Sequence, residues 1–136
     1  MTRVIAGAAV AVTAMGVSAQ AAVAVPKTIK LSERQTAFHE ADNAPRGPSA
    51  NDRITIKGVL YRSGRAVGHD KVVCTGDRHC RATLTFDGGA LRGRGTQTGS
   101  SFTVAVTGGS GRFAHARGTI RVVLRQGGTG YTIRLR

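Results

Sequence analysis

The chain has 136 residues, 20 of them Lys or Arg against 7 Asp or Glu, for a formal net charge of +13. With 4 Phe, 2 Tyr and no Trp, it is poor in the flat side chains on which single-stranded bases stack, which weakens the reading of a base-stacking nucleic-acid groove. So cationic a balance favours solubility and attraction to anionic surfaces, but it names no specific ligand.

The first element is a leader. Arg3 precedes a small apolar run from Val4 to Val17, followed by Ala19-Gln20-Ala21 and Ala22-Val23-Ala24. A basic start, an apolar core and an A-x-A site describe a secretory signal peptide over residues 1–24, cleaved after Ala21 or Ala24. The rival is a retained membrane anchor, which needs about 20 apolar residues; this run is shorter and rich in Ala and Gly. The mature chain is expected outside the cell with no transmembrane anchor. It forms one domain over 28–136, long enough for one core.

Short alternating runs follow, with turn residues between them. Thr28 to Phe38 reads as a loose first strand, and Ala44 to Asn51, with Pro45, Gly47 and Pro48, as a loop. Arg53 to Tyr61 opens with strict alternation, Ile54 and Ile56 on one face and Arg53, Thr55 and Lys57 on the other. Ser63-Gly64 turns the chain into a strand from Ala66 to Cys74. Cys74 and Cys80 bracket a short turn, and in an exported chain such a pair reads as a disulfide. The rival takes His79 as a third metal ligand, but this spacing matches no usual zinc pattern. No metal site is expected.

Arg81 to Phe86 is the next strand, and Asp87-Gly88-Gly89 a hairpin signal. Ala90 to Gly95 is a weak, glycine-rich strand. In Phe102 to Thr107, Phe102, Val104 and Val106 share a face; in Thr119 to Arg125, Ile120, Val122 and Leu124 do so. Tyr131, Ile133 and Leu135 align in the last strand, from Tyr131 to Arg136. No segment sustains a helical period. About eight short strands at this spacing predict an all-β barrel or sandwich. An eight-stranded barrel is just wide enough to be filled or to hold one small ligand, and the pattern leaves both open.

Between two of these strands lies Thr107-Gly-Gly-Ser-Gly-Arg-Phe-Ala-His-Ala-Arg-Gly118. It fails as a phosphate loop, because no Gly-Lys-Ser/Thr follows the glycines. It fails as a dinucleotide fingerprint too, because the chain returns to a strand instead of entering a helix. Gly108, Gly109, Gly111 and Gly118 are read as turn glycines, with Arg112 to Ala116 long enough for one helical turn and Phe113 able to plug a barrel end.

The stretch Gly109 to Gly118 resembles the G-G-[TS]-G-[KR]-[FY]-x-x-A-R-G signature of the dirigent and allene oxide cyclase superfamily. Gly47-Pro-Ser-Ala-Asn-Asp52, leading into Ile54 to Tyr61, is similar to that superfamily's entry to its second strand. The secreted actinobacterial branch, with a paired Cys in mid-chain, looks closest. The resemblance covers residues 28 to 136. It implies an eight-stranded antiparallel calycin-like barrel, often a homotrimer, that binds a small apolar or aromatic molecule with no metal or organic cofactor. Its members guide the coupling of phenoxy radicals or the ring closure of an unstable epoxide, chiefly by orienting a reactive substrate in a dry cavity.

The candidate site residues follow from the same resemblance. Glu33 stands in the first strand, where the cyclase branch keeps a carboxylate; an exterior glutamate is the alternative. Asp70 and Arg117 are the polar candidates for a dirigent-type pocket, with Arg117 equally suited to anchoring a turn. Tyr61 and Tyr131 line a pocket or end a core face. There is no G-x-S-x-G elbow, no H-E-x-x-H and no carboxylate pair by spacing. The competing function is a cationic extracellular protein that binds cell-wall or other polyanions without catalysis.

Overall fold

The computed structural model describes residues 28–136; the expected signal peptide lies outside the described residues. Eight strands run in order: β1 (Thr28–Ala41), β2 (Arg53–Arg62), β3 (Arg65–Thr75), β4 (His79–Phe86), β5 (Gly89–Thr96), β6 (Ser101–Gly111), β7 (Gly118–Arg125) and β8 (Gly128–Leu135). Each pairs antiparallel with its sequence neighbour, and β8 pairs with β1 to close the barrel. This is the expected all-β, eight-stranded antiparallel architecture. Closure leaves no sheet edge unpaired.

The alternation sets the two faces. Ile120, Val122, Tyr131 and Ile133 are buried inward, while Thr119, Arg121 and Arg134 face solvent. Leu60, Leu84, Leu91, Ile120 and Ile133 fill one half of the lumen. Phe113 caps that half from the β6–β7 turn at 1% exposure, its ring centre 5.6 Å from that of Phe86. The turn winds through Phe113 N–H to Ser110 O and Ala116 N–H to Phe113 O, both 3.0 Å. The other half of the barrel is open.

Three elements run further than the sequence predicts; β8 starts at Gly128, not Tyr131, because Gly128 to Gly130 pair with Arg34 to Ser32 of β1. β1 continues past Phe38 to Ala41 because its end pairs with the start of β2, after a register shift between Gln35 and Ala37. That shift, an extra residue at Thr36, lets Glu33 and Phe38 face the same side despite their odd spacing. β6 continues through the glycines to Gly111, because Gly108 to Gly111 pair with Arg92 to Gly89 of β5. The glycines therefore form the last rungs of a strand, and the turn begins at Arg112. Gly108, Gly111 and Gly118 have positive φ, at 147°, 57° and 149°. Gly109 does not; a Cβ there would lie 2.6 Å from the Phe113 carbonyl oxygen.

Cys74 and Cys80 sit directly opposite each other on β3 and β4, Cα atoms 4.1 Å apart, and are joined by a disulfide. Both thiols are thus consumed, which removes the reading that paired them with His79 around a metal. Among the described residues, no helix is long and apolar enough to cross a membrane.

Candidate functional site

Alternation along β1 turns Ile29, Leu31 and Glu33 into the lumen, and Glu33 is 5% exposed. Its cross-strand neighbours are Thr129 of β8 and Leu60 of β2. Gly58 of β2, paired with Asp70 of β3, lies between the two acids. A Cβ on Gly58 would collide with the Glu33 carboxylate. The missing side chain is therefore what lets Glu33 lie across β2 towards Asp70.

Asp70 is 4% exposed, and the Tyr131 hydroxyl donates to its Oδ2 at 2.6 Å. Both oxygens of Glu33 and Asp70 Oδ1 are buried without a hydrogen-bond partner. Burial raises the Glu33 pKa above its ordinary value, and the negative charge of Asp70 raises it further; Thr129 opposes weakly. Burial likewise raises Asp70, against the stabilising bond from Tyr131. The Tyr131 phenol is raised by burial, then by Asp70 beside it, so it remains a neutral donor. Two acids in one apolar lumen resist ionising together.

Above this cluster, in the open half, lies a cavity of about 200 Å³. Ile56, Val72, Ala82, Phe102, Val104 and Val122 line it, together with the cystine, and Phe38 hangs at its mouth, 55% exposed. Thr129, Tyr131 and Gln97 are the polar side chains in the lining. Tyr131 thus faces the cavity on one side and holds Asp70 on the other.

Glu33, Asp70 and Tyr131 are brought together. Tyr61 and Arg117 are not. Tyr61 faces outward, with the Arg34 guanidinium 5.5 Å from its ring centre, and the inward position at that level belongs to Leu60. Arg117 lies beside the closed end, donating to Thr107 O at 3.2 Å and Ala116 O at 2.8 Å. Gly58, Thr129 and Phe38 complete the site and were not singled out from sequence. For Gly58 a signal existed, since a glycine inside a strand marks a close approach. Among the described residues, no three His, Cys, Asp or Glu side chains gather as a metal site.

No protein-family model matches this chain, and no curated protein matches it. A solved structure does. The barrel resembles pyocyanin demethylase. The two share 25% identity at a TM-score of 0.70, over 80% of this chain and 99% of that one. Pyocyanin demethylase is thus a barrel of similar shape, named for a small-molecule substrate. The dirigent and allene oxide cyclase resemblance, for its part, rests on the motifs of the closed end and the β2 entry.

Proposed function

We propose that this barrel binds a small, flat, apolar or aromatic molecule in its open half, and that the Glu33–Asp70–Tyr131 cluster orients it and exchanges a proton with it, without a cofactor. The observation that carries this reading is an apolar cavity floored by a tyrosine whose hydroxyl is anchored on a buried carboxylate. An apolar cavity of about 150 Å³ is enough to take up benzene, so the space here suits one ring or two fused rings. Tyr131 meets the ligand's polar atom. As it accepts a proton there, its own passes to Asp70; the same relay then runs back and returns a proton to a second atom of the ligand, while Glu33, behind the cavity wall, opposes a lasting negative charge on Asp70. The outcome is a shift of hydrogen within the ligand with no net change in protons. Cyclisation or coupling guided by such a cavity needs little more than orientation and exclusion of water. The likeness to pyocyanin demethylase supports a small-molecule ligand. Export of the mature chain, with the disulfide formed outside the cell, belongs to the same reading.

Calorimetric titration with 2-naphthol and with naphthalene tests it. Both should bind, 2-naphthol more tightly. Tyr131→Phe should erase the preference, a loss of about tenfold for one hydrogen bond, while naphthalene binding persists. A folded protein that takes up neither compound, or a Tyr131→Phe variant that keeps the full preference, would overturn the proposal.

A further inference from the structure

The seven carboxylates of the chain are distributed unevenly. Glu33 and Asp70 are inside the barrel. Asp42, Asp52, Asp77 and Asp87 lie in turns, and Glu40 stands near the end of β1. The outer wall from β2 to β8 therefore carries basic side chains and no acidic one. Among the described residues no Lys or Arg forms an ion pair; the one pair present joins His79 to Asp77 at 3.6 Å.

Several of these charges share one groove. Arg53, Lys71, Arg81 and Arg94, with His79, line a shallow groove of about 740 Å³ across β2 to β5. In the register Arg81 lies directly opposite Arg94, and Lys57 directly opposite Lys71. Like charges facing each other across a ladder destabilise a sheet, so the bare fold bears an electrostatic cost here that a bound anion would relieve. From β2 to β5 the cations span three strand spacings, roughly 14 Å, which suits a chain of anionic groups better than a single ion. Guanidinium forks match phosphate oxygens in pairs. Val73 is the large apolar side chain in the groove and no Phe, Tyr or Trp lines it, so bases and sugar rings find little stacking surface.

We propose that this face is a second binding site, separate from the lumen, for a linear polymer recognised through its repeating phosphates. It is independent of the lumen reading, since the groove is on the outside of the wall whose inner side forms the cavity.

The probe is long-chain inorganic polyphosphate, titrated by fluorescence anisotropy against the whole protein. Arg81→Glu/Arg94→Glu should weaken binding about tenfold or more. Arg121→Glu/Arg134→Glu, which makes the same charge change on β7 and β8, should weaken it less than about threefold. Arg81→Thr, which relieves the like-charge pair, should bind more weakly yet melt at a higher temperature, separating lost binding from lost folding. Equal losses from the two double variants would reduce the effect to net charge and overturn the site. So would tighter binding of a single-stranded DNA of matched charge, or no polyphosphate binding at low salt.

Discussion

At the scale of single residues, Gly58 and Glu33 behave as one unit. Gly58→Ala should destabilise the fold by about 1–3 kcal/mol, the usual cost of forcing extra volume into a packed interior. In the background of Glu33→Ala the same change should cost far less, with a coupling of about 1 kcal/mol or more measured by urea denaturation. Additive effects would show that the two do not compete for space. The acids also set a pH dependence. Glu33 and Asp70 have folded-state pKa values raised from 4.5 and 3.8, so the stability tied to their neutral forms is complete below those ordinary values. It is lost as pH rises through the raised ones. Asp52 runs the opposite way. The Ser49 amide, first among its hydrogen bonds, lowers it from 3.8, and its contribution vanishes as pH falls. The contribution of these three groups should therefore peak in the mildly acid range between the two windows. Glu33→Gln should flatten the descent above that peak and leave the acid side unchanged, as read from urea midpoints across pH. An unchanged descent would mean that Glu33 ionises freely.

Elements show what local pattern conveys and what it withholds. The strand positions were legible because alternation of Ile, Val and Phe with Thr and Arg repeats around the barrel. The partnership of Asp70 with Tyr131 spans 61 positions, and local pattern holds no information on which strands meet. Tyr61 was ambiguous for a different reason. Val59, Leu60 and Tyr61 are consecutive large apolar residues, and the ladder slips between Leu60 and Tyr61, so alternation alone cannot say which faces in. The bulge at Thr36 similarly hides the shared face of Glu33 and Phe38. In β6, Gly111 has φ 57° and a Cβ there would strike the Gly88 carbonyl. Gly111→Val should cost about 1–3 kcal/mol, with 2-naphthol affinity per folded molecule unchanged, because β6 reaches Gly111 at the plugged end. Arg117→Lys should lower the melting temperature slightly, as the planar fork bridging two carbonyls is lost, again with affinity intact. Normal melting with lost binding would move Arg117 into the site.

The molecule as a whole divides its charge and its greasiness by surface. The filled half, braced by Phe113, holds the wall rigid; the open half supplies apolar volume; the exterior carries the excess of the +13 net charge. The two proposed ligands should therefore respond differently to ionic strength. Between ~50 and ~200 mM salt, polyphosphate affinity should fall at least tenfold through counterion release, while 2-naphthol affinity should move less than about twofold. Parallel loss of both would indicate that the naphthol, too, is held on the cationic exterior.

Pairing of β1 with β8 sets Thr28 opposite Arg134, so the barrel begins and finishes side by side, at the end that Phe113 stoppers. The entrance beside Phe38 looks the other way. Tethering the domain by either terminus to a bead, a biosensor chip or a fused protein thus presents every entrance outward, unobstructed. The two ends are also near enough for a brief linker to join them, allowing the chain to be reopened at an exposed hairpin such as Ser63-Gly64 without breaking any rung of the sheet.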